Sequence, residues 1–264
     1  MKIGVLGQGS IGRQHAQNLR EAGVDVVTCD PWQEADVKDD ADLWSKIDAI
    51  VIATPPATHL DLAWKATALG LPVLMEKPLA LPEQLPDVLR WEAACRVPVL
   101  VGYQWRYAPE LRTLIESAKP PFVAEYFGAL DGRGSAAWLR KVAEGGSALM
   151  EYSHAIDYAL WAMGDLVPER LYALLPEDER CGTIFWDTFG TILLCGFMGA
   201  PVSTLQTRRS RWTRDDSNLD ACYGAEIAHF LACCRGEAKA DGIAQGRRVL
   251  QVIAAARRSQ GRWV

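Results

Sequence analysis

Three groups of residues in this 264-residue chain have the types and spacing to do chemistry. The first is Gly7-Gln8-Gly9-Ser10-Ile11-Gly12, a GxGxxG run between an apolar segment, Ile3 to Leu6, and a helical pattern, Ile11 to Ala22. In that setting the first glycine permits a tight turn and the second lets backbone approach a pyrophosphate. The third allows close helix–strand packing, and the helix N-terminus offers amide donors to the anion. Asp30 ends the next apolar run, 18 residues beyond Gly12, where a carboxylate meets the adenosine ribose hydroxyls and repels a 2′-phosphate. NAD(H) is therefore expected as cofactor, in preference to NADP(H). The second group is Lys77 in Met75-Glu76-Lys77-Pro78-Leu79, together with Thr54-Pro55-Pro56-Ala57-Thr58-His59. A lysine at the carboxyl edge of a parallel sheet can donate to a substrate oxygen, although a solvated turn lysine would read the same way. The third is Glu151 and His154, whose spacing of three puts both side chains on one face of an expected helix. Histidine, titrating near neutrality, suits abstraction of a hydroxyl proton; the plainer alternative is a histidine packed in a helix core.

Positioning these groups requires a particular set of elements. Strands are expected at Ile3–Leu6, Val24–Cys29, Ala49–Ala53, Val73–Met75 and Val99–Val101, with helices over 11–22, 57–69 and 82–95 between them. Continuous rather than alternating apolar runs, separated by helices, mean a parallel sheet buried on both faces. Beyond residue 120 the rhythm changes to longer strands at 122–130, 170–175, 183–189, 191–197 and 202–207, several joined by short turns. A mostly antiparallel sheet follows, with helices expected at 147–163, 224–235 and 242–260. The fold expected is α/β: a Rossmann doubly wound domain over residues 1–120, then an α+β domain over 121–264 for substrate and oligomerisation.

Composition narrows the function classes. Apolar residues make up 49% and charged residues 23% of the chain, and 28 basic against 33 acidic residues leave a net charge of −5. A non-specific electrostatic grip on nucleic acid is not expected. No apolar run approaches the roughly 20 residues that span a bilayer. The seven scattered cysteines include neighbours Cys233-Cys234 and no CxxC pair, so neither a disulfide framework nor a metal site is expected. A reduced, cytoplasmic protein is the expectation.

Four motifs in order, GxGxIGxxH at 7–15, ATPPATH at 53–59, EKPLA at 76–80 and GYQWRYAP at 102–109, resemble the glucose-fructose oxidoreductase / inositol dehydrogenase / MocA family. The likeness continues at Gly145-Gly146 through Asp157 and, more thinly, at Tyr223 to Phe230. It implies that Lys77 is catalytic and that the Lys77-Pro78 bond is cis. It further implies that Thr54, Pro55, His59, Glu76, Gln104 and Arg106 join the glycine turn and Asp30 around the cofactor. The family usually spaces its acid and histidine by four; here Glu151 and His154 are three apart, with His154 as base and Glu151 orienting it. The activity implied is NAD-dependent oxidation of a secondary alcohol, or the reverse, on a sugar, polyol or amino-sugar derivative. A non-catalytic dinucleotide sensor of the same fold is the rival. A homodimer or homotetramer is expected through the second sheet's outer face, near Phe185, Phe189, Ile192, Leu194 and Phe197. Trp105 and Trp138 are candidates at a sugar-binding surface, and the arginine cluster at 208–214 is read as a solvated face or a contact for an acidic substrate.

Overall fold

The computed structural model describes residues 1–117, 119, 121–128, 148–151, 153–175, 181–186, 190–196, 202–207, 210–213 and 215–264. Five parallel strands form the first sheet: β1 (Lys2–Leu6), β2 (Asp25–Cys29), β3 (Ala49–Ile52), β4 (Val73–Glu76) and β5 (Val99–Gly102). Their order is β2-β1-β3-β4-β5. The order reverses between β1 and β3, and in open parallel sheets the crevice beyond the strand ends at such a point takes the ligand. Every residue of β3 is buried, which explains its unbroken apolar run.

Helices α1 (Ser10–Glu21), α2 (His59–Ala68), α3 (Leu85–Ala94) and α4 (Pro109–Ser117) follow β1, β3, β4 and β5. The sequence shows no expectation of α4, whose Leu111 and Leu114 are buried on one side. On one face of the sheet, Ile3, Val5, Ala49, Val51, Leu74 and Leu100 pack with Ala16 and Leu19 of α1. They meet there Ile227 and Phe230 of a C-terminal helix. The first sheet is thus covered in part by the end of the chain.

The second sheet runs β11-β10-β6-β9-β8-β7. Its strands are β6 (Phe122–Gly128), β7 (Leu171–Leu174), β8 (Cys181–Trp186), β9 (Gly190–Gly196), β10 (Val202–Gln206) and β11 (Arg211–Thr213). All pairs are antiparallel except β6 with β9, which is parallel. Strand β11 falls inside the arginine cluster: Arg211 is exposed on it, and Arg208, Arg209 and Arg214 lie outside the described residues.

Phe122, Ala124, Leu171, Ala173, Ile184, Trp186 and Leu205 are buried, on the side that packs against helix α6 (Ser153–Ala162). Val123, Leu174 and Phe185 are exposed. Before α6 stands α5 (Ala148–Glu151); after β11 come α7 (Leu219–Cys234) and α8 (Gly242–Ser259). Helix α8 lies against both β5 and β7, and Ser259 Oγ accepts the Ala173 N–H at 2.8 Å, so one helix joins the two sheets.

Candidate active site

The glycine turn is built for close backbone approach. Gly7 has φ +90°, and a Cβ there would stand 2.4 Å from the Ala53 carbonyl oxygen; a Cβ on Gly12 would stand 1.9 Å from Gly7 O. A Cβ on Gly9 would meet nothing within 4 Å, so the turn is open outward at that point. Helix α1 begins there without a side-chain cap and without an acidic residue in its first turn. Its first N–H groups are thus left to an anion, and the turn fits a dinucleotide pyrophosphate. Gln8, Ser10 and Ile11 form the rest of this turn, with the Gln8 side chain folded back onto Gly7 O at 2.9 Å.

Asp30 sits where the spacing puts it. It accepts the Gln8 N–H at 2.7 Å and the Trp32 and Gln33 N–H groups at 2.8 Å each. Burial works to raise its pKa, but the backbone bonds from Gln33, Gln8 and Trp32 outweigh that and hold it below the ordinary aspartate range. It is a carboxylate facing the glycine turn.

The lysine edge is set by strand register. Glu76 pairs with Gly102 across β4 and β5, so the next residues, Lys77 and Tyr103, leave the sheet side by side. The Tyr103 ring then meets the His154 ring edge-on, with centroids 5.6 Å apart. Lys77 is half-buried just beyond β4, and His154 is buried on α6 with its ring against Tyr103, just beyond β5. The Lys77-Pro78 bond is cis, as the resemblance implies.

Glu151 is the last residue of α5 and His154 the second of α6; residue 152, between these two stretches, lies outside the described residues, as does the Glu151 side chain.

Three residues assigned to the cofactor from their motifs instead spend their polar atoms on protein. His59 is wholly buried, with Nδ1 2.7 Å from Pro78 O and Nε2 2.8 Å from Thr54 O. It ties the Thr54-Pro55 loop to the Lys77-Pro78 loop. Arg106 makes a bidentate pair with Asp157, at 2.9 and 3.1 Å from Nε and 2.9 Å from a terminal nitrogen. It also bonds Asp165 at 2.7 Å. Gln104 is buried and donates to the Tyr223 hydroxyl at 3.3 Å. Glu76 remains at the strand edge, but its carboxylate is 2.8 Å from His15 Nε2. Burial pushes Glu76 up, and the His15 bond, with the charges of His15 and Lys77, reverses this and holds it low. Thr54 and Pro55 line the edge beyond β3, with Thr54 Oγ1 2.7 Å from Thr58 Oγ1. Trp105 is buried edge-on against Trp212, so it is core and not a sugar platform. Trp138 lies outside the described residues.

Sequence reasoning passed over Tyr103, Asp157 and Glu226. The first two stand within the very motifs that flag Arg106 and His154, at GYQWRY and SHAID, so the signal was present. Glu226 gave no such signal. It is wholly buried on α7, and among the described residues neither carboxyl oxygen has a hydrogen-bond partner. Burial, and then the charge of Glu76, push its pKa well up. His229 is half-exposed, with Nδ1 2.7 Å from the Tyr107 hydroxyl.

Known proteins resemble this chain in sequence and in fold. Residues 1–103 match the profile of the oxidoreductase family with an NAD-binding Rossmann fold, GFO/IDH/MocA. The rhizopine catabolism protein MocA of Rhizobium meliloti is 24% identical over 214 residues, 74% of this chain and 67% of that protein. Inositol 2-dehydrogenase of Mycolicibacterium smegmatis is 31% identical over 141 residues, 45% of this chain and only 41% of that enzyme's length. The crystal structure of myo-inositol 2-dehydrogenase from Lactobacillus plantarum superposes with a TM-score of 0.84, covering 100% of this chain and 98% of that one at 17% identity. That last likeness is one of fold.

Proposed function

Because residues 1–103 match the profile of the GFO/IDH/MocA oxidoreductase family, described as an NAD-binding Rossmann fold, we propose that the chain is an NAD-dependent dehydrogenase. Its substrate would be a secondary alcohol of a sugar, polyol or amino-sugar derivative, or the matching ketone. The observation that supports this reading is the register of Glu76 with Gly102, so that Lys77 and Tyr103 follow paired strand ends, together with the contact of the Tyr103 ring with His154.

The glycine turn and the start of α1 hold the pyrophosphate, and Asp30 holds the adenosine ribose. When bound, NAD supplies a hydride acceptor at its nicotinamide ring. In oxidation the hydroxyl carbon gives up a hydride and the hydroxyl oxygen a proton, leaving a carbonyl. His154 takes that proton, Lys77 donates to the oxygen as negative charge develops on it, and Glu151 orients the substrate or His154. Residues 121–264 form the substrate and subunit side, and a cytoplasmic site of action goes with the free thiols of Cys29, Cys95, Cys222, Cys233 and Cys234.

The direct test is a panel of polyols, sugars and nucleotide sugars, myo-inositol among them, offered with NAD while reduced nicotinamide is followed by absorbance. At least one class turns over. Tight NAD binding with no turnover on any member would favour a sensor instead. In the same titrations NAD(H) binds at least about tenfold more tightly than NADP(H), since a like-charge contact with Asp30 costs more than about 1.4 kcal/mol. Superimposable titrations for the two nucleotides would remove Asp30 from the ribose.

The outer face of the second sheet, where Val123, Leu174 and Phe185 are exposed, is the proposed surface of a homodimer or homotetramer. The side chains of Ile192 and Leu194, and all of Phe189 and Phe197, lie outside the described residues. Light scattering at micromolar concentration should report twice or four times the chain mass. A monomer there contradicts the assignment.

A further inference from the structure

Glu226 is a buried acid outside the reaction scheme. It is wholly buried, and among the described residues neither of its oxygens has a hydrogen-bond partner. A carboxyl buried in this way costs stability, so it calls for a role. Its neighbours one turn either way on α7 show where it stands. Tyr223 meets the His15 ring edge-on, with centroids 5.7 Å apart, and its hydroxyl accepts from Gln104. On the other side His229 holds the Tyr107 hydroxyl at 2.7 Å. Glu226 therefore lies on the helix face between His15 of α1 and Tyr107 of the turn after β5. The charge of Glu76 reaches it, and its own charge reaches Tyr107 and Cys222.

A second unpaired atom lies on the facing helix. His15, also wholly buried, gives its Nε2–H to Glu76 Oε1 at 2.8 Å, while its Nδ1 has no partner among the described residues. Burial pushes Glu76 up; the bond from His15 outweighs it, and the charges of Lys77 and His59 add to that bond. The Glu76 carboxylate lies over Gly102, where a Cβ would stand 3.1 Å from Oε1. A neutral imidazole that donates at Nε2 presents a lone pair at Nδ1, and a buried lone pair needs a donor. A protonated carboxyl supplies one, and a second carboxylate would not. Two buried acids within reach of each other divide their protons unequally, and Glu76 is the one with cations around it. Glu226 is left to keep its proton.

We propose that Glu226 is a positioning residue for the reaction: protonated, it donates through one bridging water to His15 Nδ1, and so keeps the His15 Nε2–H on the Glu76 carboxylate next to Lys77. The link runs through water because neither carboxyl oxygen is within hydrogen-bond distance of the ring. Its consequence is electrostatic. Without a donor at Nδ1 the imidazole takes its other tautomer, with the lone pair at Nε2. Glu76 must then hold the proton itself, and the negative charge beside Lys77 is lost. A lysine deprived of that charge gives up its own proton more readily. The inference rests on the reading of Lys77 as donor to the substrate oxygen. It goes beyond that reading by giving His15 and Glu226 a part in keeping the lysine charged.

The test is the pH profile of kcat for Glu226→Leu, Glu226→Gln and His15→Phe, with imidazole nitrogen NMR of His15 in the unsubstituted protein. Glu226→Leu should move the alkaline limb, on which Lys77 loses its proton, toward neutrality by about one pH unit. Beyond that limb kcat falls about tenfold, while NAD affinity changes by less than about threefold. His15→Phe keeps a ring against Tyr223 but gives Glu76 no N–H, so it should move the limb the same way. The double variant should move it no further than either alone, because the two act in one chain. Glu226→Gln, whose amide still donates, should restore most of the shift. Melting temperatures close to that of the unsubstituted protein separate lost position from lost fold. An unmoved limb in Glu226→Leu overturns the proposal, as does a glutamine variant that shifts as far as leucine. Should Glu226→Leu not fold, the NMR spectrum decides: Nε2 must carry the proton and Nδ1 a lone pair, and a proton on Nδ1 overturns the assignment. Failure of the Lys77 reading looks different: Lys77→Ala would keep its kcat, while the His15 tautomer would still report the cluster.

Discussion

Lys77→Ala and His154→Ala each lose turnover by about 10²–10⁴-fold on a substrate the protein oxidises, and each still binds NAD as the unsubstituted protein does. The two halves of this expectation come from different parts of the fold. The pyrophosphate end is built from Gly7, Gly9, Gly12 and the start of α1, none of which touches either side chain's element in register. Lys77 leaves β4 beside Tyr103, and Tyr103 carries the contact to His154 on α6. Chemistry at that edge requires both sheets' elements together; nucleotide binding requires the first alone. Glu151→Gln should lose less, about tenfold or below, because an orienting group can be replaced by an amide that still hydrogen-bonds. The measurements are NAD affinity by calorimetry and kcat by reduced-nicotinamide absorbance. Alanine variants with near-normal kcat would mean that the lysine edge is structural and that the chemistry lies with other residues.

What could be read from the chain alone follows the range of the interactions involved. The GxGxxG turn, Asp30 and Lys77 each stand just past the end of an apolar strand, so their places follow from spacing. The parallel sheet was equally plain, because strands buried on both faces are apolar throughout. Side-chain roles that depend on distant partners were not. His59 and Arg106 stand in the right motifs, yet what each does is decided by Pro78, Thr54, Asp157 and Asp165, and no periodicity reports those contacts. Glu226 was invisible because a lone glutamate on an amphipathic pattern reads as solvated; only the packing of α7 against the first sheet buries it. The parallel pairing of β6 with β9 likewise joins strands far apart in sequence, where turn chemistry gives no guide.

Asp157→Ala should destabilise the fold by about 3–5 kcal/mol, the cost of leaving a buried guanidinium without its main partner. Arg106 donates to both Asp157 oxygens, and Gln245 of α8 adds a bond to Oδ1 at 2.9 Å. Burial pushes the Asp157 carboxyl up and pulls the Arg106 guanidinium down. The two carboxylates Asp157 and Asp165 more than offset the latter and hold Arg106 charged. Four donated bonds and, among the described residues, no acceptor on Asp157 fit a carboxylate, so the pair is ionic. Asp165 cannot take over, because its side chain is partly exposed and already bonded to the same guanidinium. Asp165→Asn, at that wetter end and with a residue that tolerates its φ of 60°, should cost about 1 kcal/mol or less. Denaturant unfolding of the two variants separates these values, and equal losses would mean that Asp157 is not the anchor. A buried ion pair is no cheaper than an apolar contact of the same volume, so its presence calls for another role. The geometry supplies one: Arg106 belongs to the turn that begins just after Tyr103, and Asp157 lies one helical turn beyond His154. The pair fixes α6 in one register on that turn, and with it the edge-on contact of Tyr103 and His154. Asp157→Ala should therefore lose turnover in addition to stability, even well below its unfolding temperature, while NAD affinity stays close to that of the unsubstituted protein.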